Sequence, residues 1–171
     1  MLKNLSLILS SLLLTACSHT YYVVRHAEKK INADATMMAG DPPLTAAGQA
    51  RAEALSDQLK DKHIRFIFST NTIRTKSTAE PLRVYLGLTT AIYGPKPDSN
   101  FIRQLKRIKK NTLVIGHSNT VDDIVNALCN TTKVPGDLND GEYDNLFVVK
   151  YKQFFGTKIQ FERKKYGVAA K

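Results

Sequence analysis

The sequence predicts an α/β fold: a mainly parallel sheet flanked by helices on both faces, built as one domain. Three observations predict it. Short β-branched and aromatic runs alternate with longer helical patterns, the mark of strand–helix–strand units. Two of the runs, residues 21–24 (YYVV) and 112–115 (TLVI), break off into Arg25-His26 and Gly116-His117. Parallel strands do this when they deliver polar side chains to the crevice beyond their carboxyl ends. The last two runs, 146–151 and 157–163, are joined by a short turn ending in Gly156 and read as a hairpin that adds an antiparallel edge. A length of 171 residues, 43% hydrophobic and 23% charged, suits one domain with a single sizeable core.

The first residues fall outside that domain. Lys3 supplies a positive start, residues 5–14 form the apolar run LSLILSSLLL, and Thr15-Ala16 lead into Cys17. The run is too short to span a bilayer, which takes about 20 apolar residues, and it reads as a secretory signal. Leu14-Thr15-Ala16-Cys17 resembles a bacterial lipobox, in which the cysteine is lipidated and becomes the mature N-terminus. The expected organisation is therefore a lipoprotein-type signal peptide over 1–16, a lipidated tether over 17–20 and the folded domain over 21–171. The protein is then exported and anchored at the cell envelope, on the periplasmic or surface side of a bacterial membrane. The alternative is an ordinary signal peptide with a coincidental cysteine. Cys129, in the apolar helical pattern VNALCN, reads as a small core residue. Export would also permit a disulfide between Cys17 and Cys129.

Within the domain, the strand over 21–24 is followed by a loop at Asp41-Pro42-Pro43. Thr45 caps a helix to about residue 60, with Ala50, Ala54, Leu55 and Leu59 on one face. Residues 64–68 form a second strand that ends in Ser69-Thr70-Asn71. A helix over 72–86 stops at Gly87, and Pro81 should kink it or start its second half. A weak strand over 91–93, a Gly-Pro loop and a basic helix over 98–110 lead to the strand over 112–115. Asn119 or Thr120 then caps a helix to about 128, and 131–144 is a loop before the hairpin.

The formal net charge of +10 favours anionic partners: phosphate esters, nucleic acid or acidic lipid. Lys106, Arg107, Lys109 and Lys110 read as a solvated face, and no nucleic-acid motif accompanies them, so no nucleic-acid partner is expected. Oligomeric state is not legible.

The chemistry lies at the strand ends. His26 follows the first strand, His117 the fourth, and Arg74 lies just past the second, so two histidines and two arginines converge on one crevice. These residue types suit phosphoryl transfer, where catalysis is largely positioning plus stabilisation of negative charge. The planar fork of Arg donates in pairs to phosphate oxygens, and a neutral imidazole can attack phosphorus. A second histidine can donate to an oxygen as charge builds, and the helix after His117 offers its positive end. Two arginines would repel a cation, and no Cys or carboxylate cluster supplies further ligands, so no metal or other cofactor is expected.

The motifs resemble those of the histidine phosphatase superfamily, the phosphoglycerate mutase-like proteins. Val24-Arg25-His26-Ala27-Glu28-Lys29 looks like the family signature, with Ala27 where Gly is usual. The resemblance continues through the run 43–50 (PLTAAGQA), through 69–75 (STNTIRT) with Thr78-Ala79, and through 114–120 (VIGHSNT). It covers roughly residues 21–150 and places the chain with exported bacterial lipoproteins of the family. The resemblance implies a phosphoglycerate mutase-like fold, His26 as the phosphorylated nucleophile, Arg25 and Arg74 as phosphate clamps, and His117 as the second pocket histidine. Asn32 falls where many members place another phosphate-binding side chain. A carboxyl group is the family's usual proton donor to the leaving group. Asp98, Glu142, Asp122 and Glu28 are the candidates, with Glu142 or Asp98 preferred. If none reaches, a substrate with a good leaving group, such as phosphohistidine on a protein, is expected.

The expected function is a phosphohydrolase, a histidine acid-type phosphatase acting on phosphomonoesters or a phosphoprotein through a phosphohistidine intermediate. A phosphomutase fits less well, because the chain is short. The rival of a different class is a lipoprotein that captures phosphate or a phosphorylated ligand without turnover.

Overall fold

A computed structural model describes residues 18–30, 40–153 and 156–169. The chain runs β1 (Ser18–Arg25), α1 (Ala46–Leu59), β2 (Phe66–Thr70), α2 (Ile73–Leu86), β3 (Thr90–Tyr93), α3 (Ser99–Ile108), β4 (Thr112–Gly116), α4 (Val121–Cys129), β5 (Asn145–Gln153) and β6 (Thr157–Lys165). All six strands share one sheet in the order β3-β2-β4-β1-β5-β6. The first four pair in parallel, and β5 and β6 add the antiparallel edge.

The period of two along each strand divides the core between the sheet's faces. On one side Tyr21, Val23, Phe68, Val114 and Phe147 pack with Leu105 of α3 and with Ile124, Val125 and Leu128 of α4. On the other, Tyr22, Val24, Ile67, Leu113 and Ile115 pack with Leu55 and Leu59 of α1 and with Ala79 and Leu82 of α2. Cys129 lies in the first of these clusters as a free, buried thiol; Cys17 lies outside the described residues.

Local chemistry sets the helix ends. The Thr45 hydroxyl accepts the Gly48 N–H at 3.0 Å, and Asp98 accepts the Phe101 N–H at 2.8 Å. At the other end of α2, Gly87 takes a left-handed φ of 64° that terminates the helix. Pro81 sits inside α2, which runs unbroken from Ile73 to Leu86 rather than restarting. The single hydrogen bond a proline removes is offset there by the buried face that Ala79 and Leu82 present.

Two boundaries differ from the sequence reading. Ser18, His19 and Thr20, expected in a tether, belong to β1 and pair with Lys152, Tyr151 and Lys150 of β5. Their polar side chains hide the strand in the sequence, but the structure buries His19 and Thr20 and gives each a partner. The His19 ring stacks on Tyr151 at 5.1 Å, its Nε2 lies 3.1 Å from the Tyr21 hydroxyl, and Asn111 Oδ1 accepts the Thr20 N–H. Likewise β2 covers 66–70 rather than 64–68. Its polar end, Ser69-Thr70, is buried and carries the strand on to the site.

The segment after β1 is strapped to α1. The Lys30 N–H donates to the Pro43 carbonyl, the Thr45 N–H donates to the Glu28 carbonyl, and Lys29 bridges to Leu44. Helix α1 passes so close that a Cβ on Gly48 would lie 2.2 Å from the Glu28 carbonyl oxygen. Gly48→Ala is therefore expected to lower stability by about 1–3 kcal/mol through overpacking, read as a drop of several degrees in Tm by calorimetry. Gly94→Ala, whose Cβ would meet only an ordinary 3.7 Å contact, should leave Tm unchanged.

Candidate active site

Strands β1 and β4 end level with each other: Arg25 pairs with Gly116, so the next residues, His26 and His117, leave adjacent strands side by side. The His26 N–H donates to the Gly116 carbonyl at 2.9 Å. The two imidazoles stand edge to face with centroids 5.4 Å apart. Gly116 is required for this approach, because a Cβ there would come within 2.9 Å of the Thr120 hydroxyl and 3.1 Å of the Tyr93 hydroxyl.

His26 is 3% exposed. Its Nδ1 lies 2.8 Å from the Ala27 carbonyl oxygen, which can only accept. The proton therefore sits on Nδ1, and Nε2 carries the free lone pair. Burial pushes the His26 pKa down to about 3; the bond to Ala27 opposes this, and the charges of Arg25, His117 and Arg74 add to it. His117 is pushed down to about 4, by burial first and then by Arg74 and Arg25. Arg74 Nη2 stands 3.4 Å from His117 Nδ1, and Thr70 Oγ1 stands 2.8 Å from Nε2. Because a guanidinium can only donate, the His117 proton lies on Nε2, toward Thr70.

Each arginine is held by one edge. Arg25 Nη1 donates to the carbonyls of Asn139 and Asp140, at 2.8 and 3.1 Å, and its guanidinium lies 4.1 Å from the centre of the Tyr143 ring. Arg74 Nη1 donates to Asp41 at 3.1 Å. The Asp41 carboxylate also accepts the N–H of Ile73, the first residue of α2, at 2.9 and 2.7 Å. The Nε–H groups of both arginines are buried with no hydrogen-bond partner among the described residues. Buried, unmatched cationic donors are costly unless an anion meets them. Thr78 couples the two arms: its hydroxyl accepts the Ala27 N–H and donates to the Arg74 carbonyl. Ala27, the residue after His26, is fully buried.

Three of the four carboxylates read as proton donors are engaged elsewhere. Glu142 accepts the Asn139 N–H and side-chain amide and receives Arg163 Nη2 at 2.6 Å. The Asn139 backbone bond is the first cause that holds its pKa below the usual value. It braces the turn whose carbonyls grip Arg25, a positioning role. Asp98 is exposed and caps α3 beyond the edge strand. Glu28 pairs with Arg51 at 2.6 Å, and Arg51 in turn binds the Tyr166 and Val168 carbonyls. Asp122, in the first turn of α4, is buried with its pKa raised by desolvation, and it makes no described contact with the histidines. Asn32 lies outside the described residues. Sequence reasoning passed over Asp41 and Tyr143, both in loops. The one signal for Asp41 was its position before Pro42-Pro43, which the helix starting at Ala46 follows.

Residues 21–93, which include Arg25, His26 and Arg74, match the family model of the histidine phosphatase superfamily (branch 1). The matched stretch runs from β1 through β3. Comparison with curated sequences gives no significant match. Among solved structures, the protein histidine phosphatase SixA complexed with tungstate is similar at 17% identity and a TM-score of 0.61, over 85% of this chain and 96% of that one. A mycobacterial glucosyl-3-phosphoglycerate phosphatase matches at 12% identity and 0.62, over 85% and 97%. A phosphoglycerate mutase from Bacillus anthracis matches at 16% and 0.55, over 80% and 89%. At these identities the likeness establishes a shared fold.

The depressed imidazole pKa values have a direct consequence. On acidification from pH 7 to 5, both His26 and His117 stay neutral, whereas an ordinary imidazole of pKa about 6.5 would take up its proton. In 13C-labelled histidine NMR, the two ring resonances are expected to hold constant to about pH 5 and to move only below it. A midpoint near 6.5 for either ring would contradict the buried, cation-flanked geometry.

Proposed function

We propose that the chain is a phosphohydrolase in which His26 Nε2 attacks the phosphorus of a phosphorylated substrate. The observation that carries this reading is the free Nε2 lone pair of a buried, neutral histidine set among two arginines and a second histidine. The N–P bond forms as the bond to the leaving group breaks, giving phosphohistidine on the enzyme. Water then attacks phosphorus, releases inorganic phosphate and returns the lone pair to Nε2. Arg25 and Arg74 match the equatorial oxygens through Nε–H donors that have no partner among the described residues. His117 faces Arg74 with Nδ1 and donates from Nε2 to Thr70, so it helps to hold Arg74 in place beside His26. None of these groups calls for a metal.

The leaving group narrows the substrate. Glu142, Asp98 and Glu28 each have another task, Asp122 makes no described contact with the histidines, and Asp41, at the site's edge, accepts from Arg74 and the Ile73 N–H. A substrate whose leaving group departs without a strong acid therefore fits best. Phosphohistidine on a protein is of this kind, since its imidazole leaves as a neutral molecule once protonated on the other nitrogen. The structural likeness to a protein histidine phosphatase agrees with this choice. Residues 1–17 support a second part of the proposal: export, with Cys17 as the lipidated residue, which puts the protein at a membrane facing extracytoplasmic substrates.

His26→Ala is expected to abolish turnover of p-nitrophenyl phosphate and the acid-labile phosphoenzyme seen in rapid quench with labelled substrate. A folded variant that still turns over would remove His26 as nucleophile. Without a general acid, aryl phosphates and phosphohistidine should outpace alkyl phosphates by roughly 10²–10⁴-fold, the usual contribution of proton donation. Equal kcat/KM for aryl and alkyl esters would reveal a proton donor. Arg74→Lys should lower kcat/KM sharply, because a point charge does not replace a planar fork.

A further inference from the structure

The sheet end opposite the crevice is strongly basic, and it is also where the N-terminal segment joins the fold. The amino ends of the parallel strands meet there, tied by one residue. The Asn111 side chain accepts the Thr20 N–H at 2.9 Å and donates to the Lys62 carbonyl at 2.7 Å, while its carbonyl accepts the Arg65 N–H at 2.8 Å. The start of β1, the turn before β2 and the turn before β4 are thereby held as one surface. The β5–β6 hairpin extends it: Ser18 pairs with Lys152, and Lys152 with Lys158. Lys62, Arg65, Lys109, Lys110, Lys152 and Lys158 are all exposed here. Of the acidic residues in the same turns, Asp57 is already paired with Lys60, which leaves Asp61.

We propose that this end is a docking face for an anionic lipid bilayer. Two independent features converge on one occupant. The first is charge: six clustered cations attract a negatively charged leaflet, with an energy that grows with each Lys or Arg near the surface. The second is the chain itself. The residue before Ser18 is Cys17, and the apolar run 5–14 lies just upstream, so whichever part of that segment enters a membrane draws this end toward it. The face and the leader then act as two linked contacts, and the second becomes effectively intramolecular once the first is made. The crevice, beyond Arg25 at the other end of β1, faces away from the bilayer. Ser18 and Arg25 are the two ends of the eight-residue strand, an extended span of roughly 20–25 Å. The proposal shares the leader with the export reading and is independent of turnover.

The test is flotation of the full chain with vesicles of phosphatidylcholine alone, or with about a third phosphatidylglycerol. Three proteins carry the same Cys17→Ser change, which removes lipidation and leaves the leader equal in all. One is otherwise wild type. The second carries K62E/K110E/K152E on the basic end. The third carries K76E/K96E/K164E, the same change in net charge placed at the crevice end. The first and third are expected to bind anionic vesicles about tenfold or more tightly than the second, with the difference vanishing on neutral vesicles and at high salt. Hydrolysis of a small soluble phosphate ester should be the same for the first and second proteins, bound or free. Equal anionic binding by all three, or equal loss in both charge-reversed proteins, would overturn the docking face. His26→Ala should float like the first protein, so failure of the phosphatase reading is distinguishable from failure of this one.

Discussion

The parallel pairing of β1 with β4 is the constraint on which the site depends. Tyr21 lies opposite Thr112 and the register runs on to Arg25 opposite Gly116, so the residue after each strand is a histidine and the two rings meet. Both strands are buried on both faces, which leaves the register no freedom. A slip by one residue would turn Tyr21 and Val23 away from α3 and α4 and bring Tyr22 and Val24 in their place. The Tyr93 hydroxyl donates to the Ile115 carbonyl at 3.0 Å and pins the end of β4 from the edge strand. Packing far from the chemistry thus sets the distance between the groups that carry it.

The electrostatics follow from how the arginines are held. Arg25 is gripped by backbone carbonyls and an aromatic face, with Asp140 no closer than 3.9 Å. Its charge is solvated without being cancelled, so the field it shares with Arg74 adds to the burial that keeps both imidazoles neutral. A close carboxylate pair in its place would have quenched that field and raised the histidine pKa values. Glu142 contributes indirectly: it braces the turn that offers the carbonyls, and its own charge is spent on Arg163.

The alternation of strands and helices, the central strands and the four converging residues are legible in the sequence because each rests on local pattern plus one topological rule. What was not legible rests on partners distant in the chain. His19 and Thr20 read as tether because they are polar; they are strand because β5, more than 120 residues later, supplies both their backbone partners and the Tyr151 ring. Glu142 and Asp98 read as acids because they are carboxylates in loops near the crevice. What decides their role is the nearest donor: Arg163 and Asn139 for one, the Phe101 N–H for the other. Asp41 and Tyr143 were missed for the same reason, since neither has a neighbour in sequence that announces the arginine it meets.

Asp41 sets terms for whatever enters the site. Its carboxylate already occupies one edge of Arg74 and the first N–H of α2, the kind of donors an incoming oxyanion seeks. A guest that takes those donors does so by exchange rather than by addition, and the free energy of displacing the carboxylate is subtracted from its affinity. The subtraction falls on any anion that leaves the pocket as on any that arrives. In the proposed hydrolysis, a built-in competitor of this kind would shorten the residence time of inorganic phosphate in a pocket whose charge would otherwise retain it.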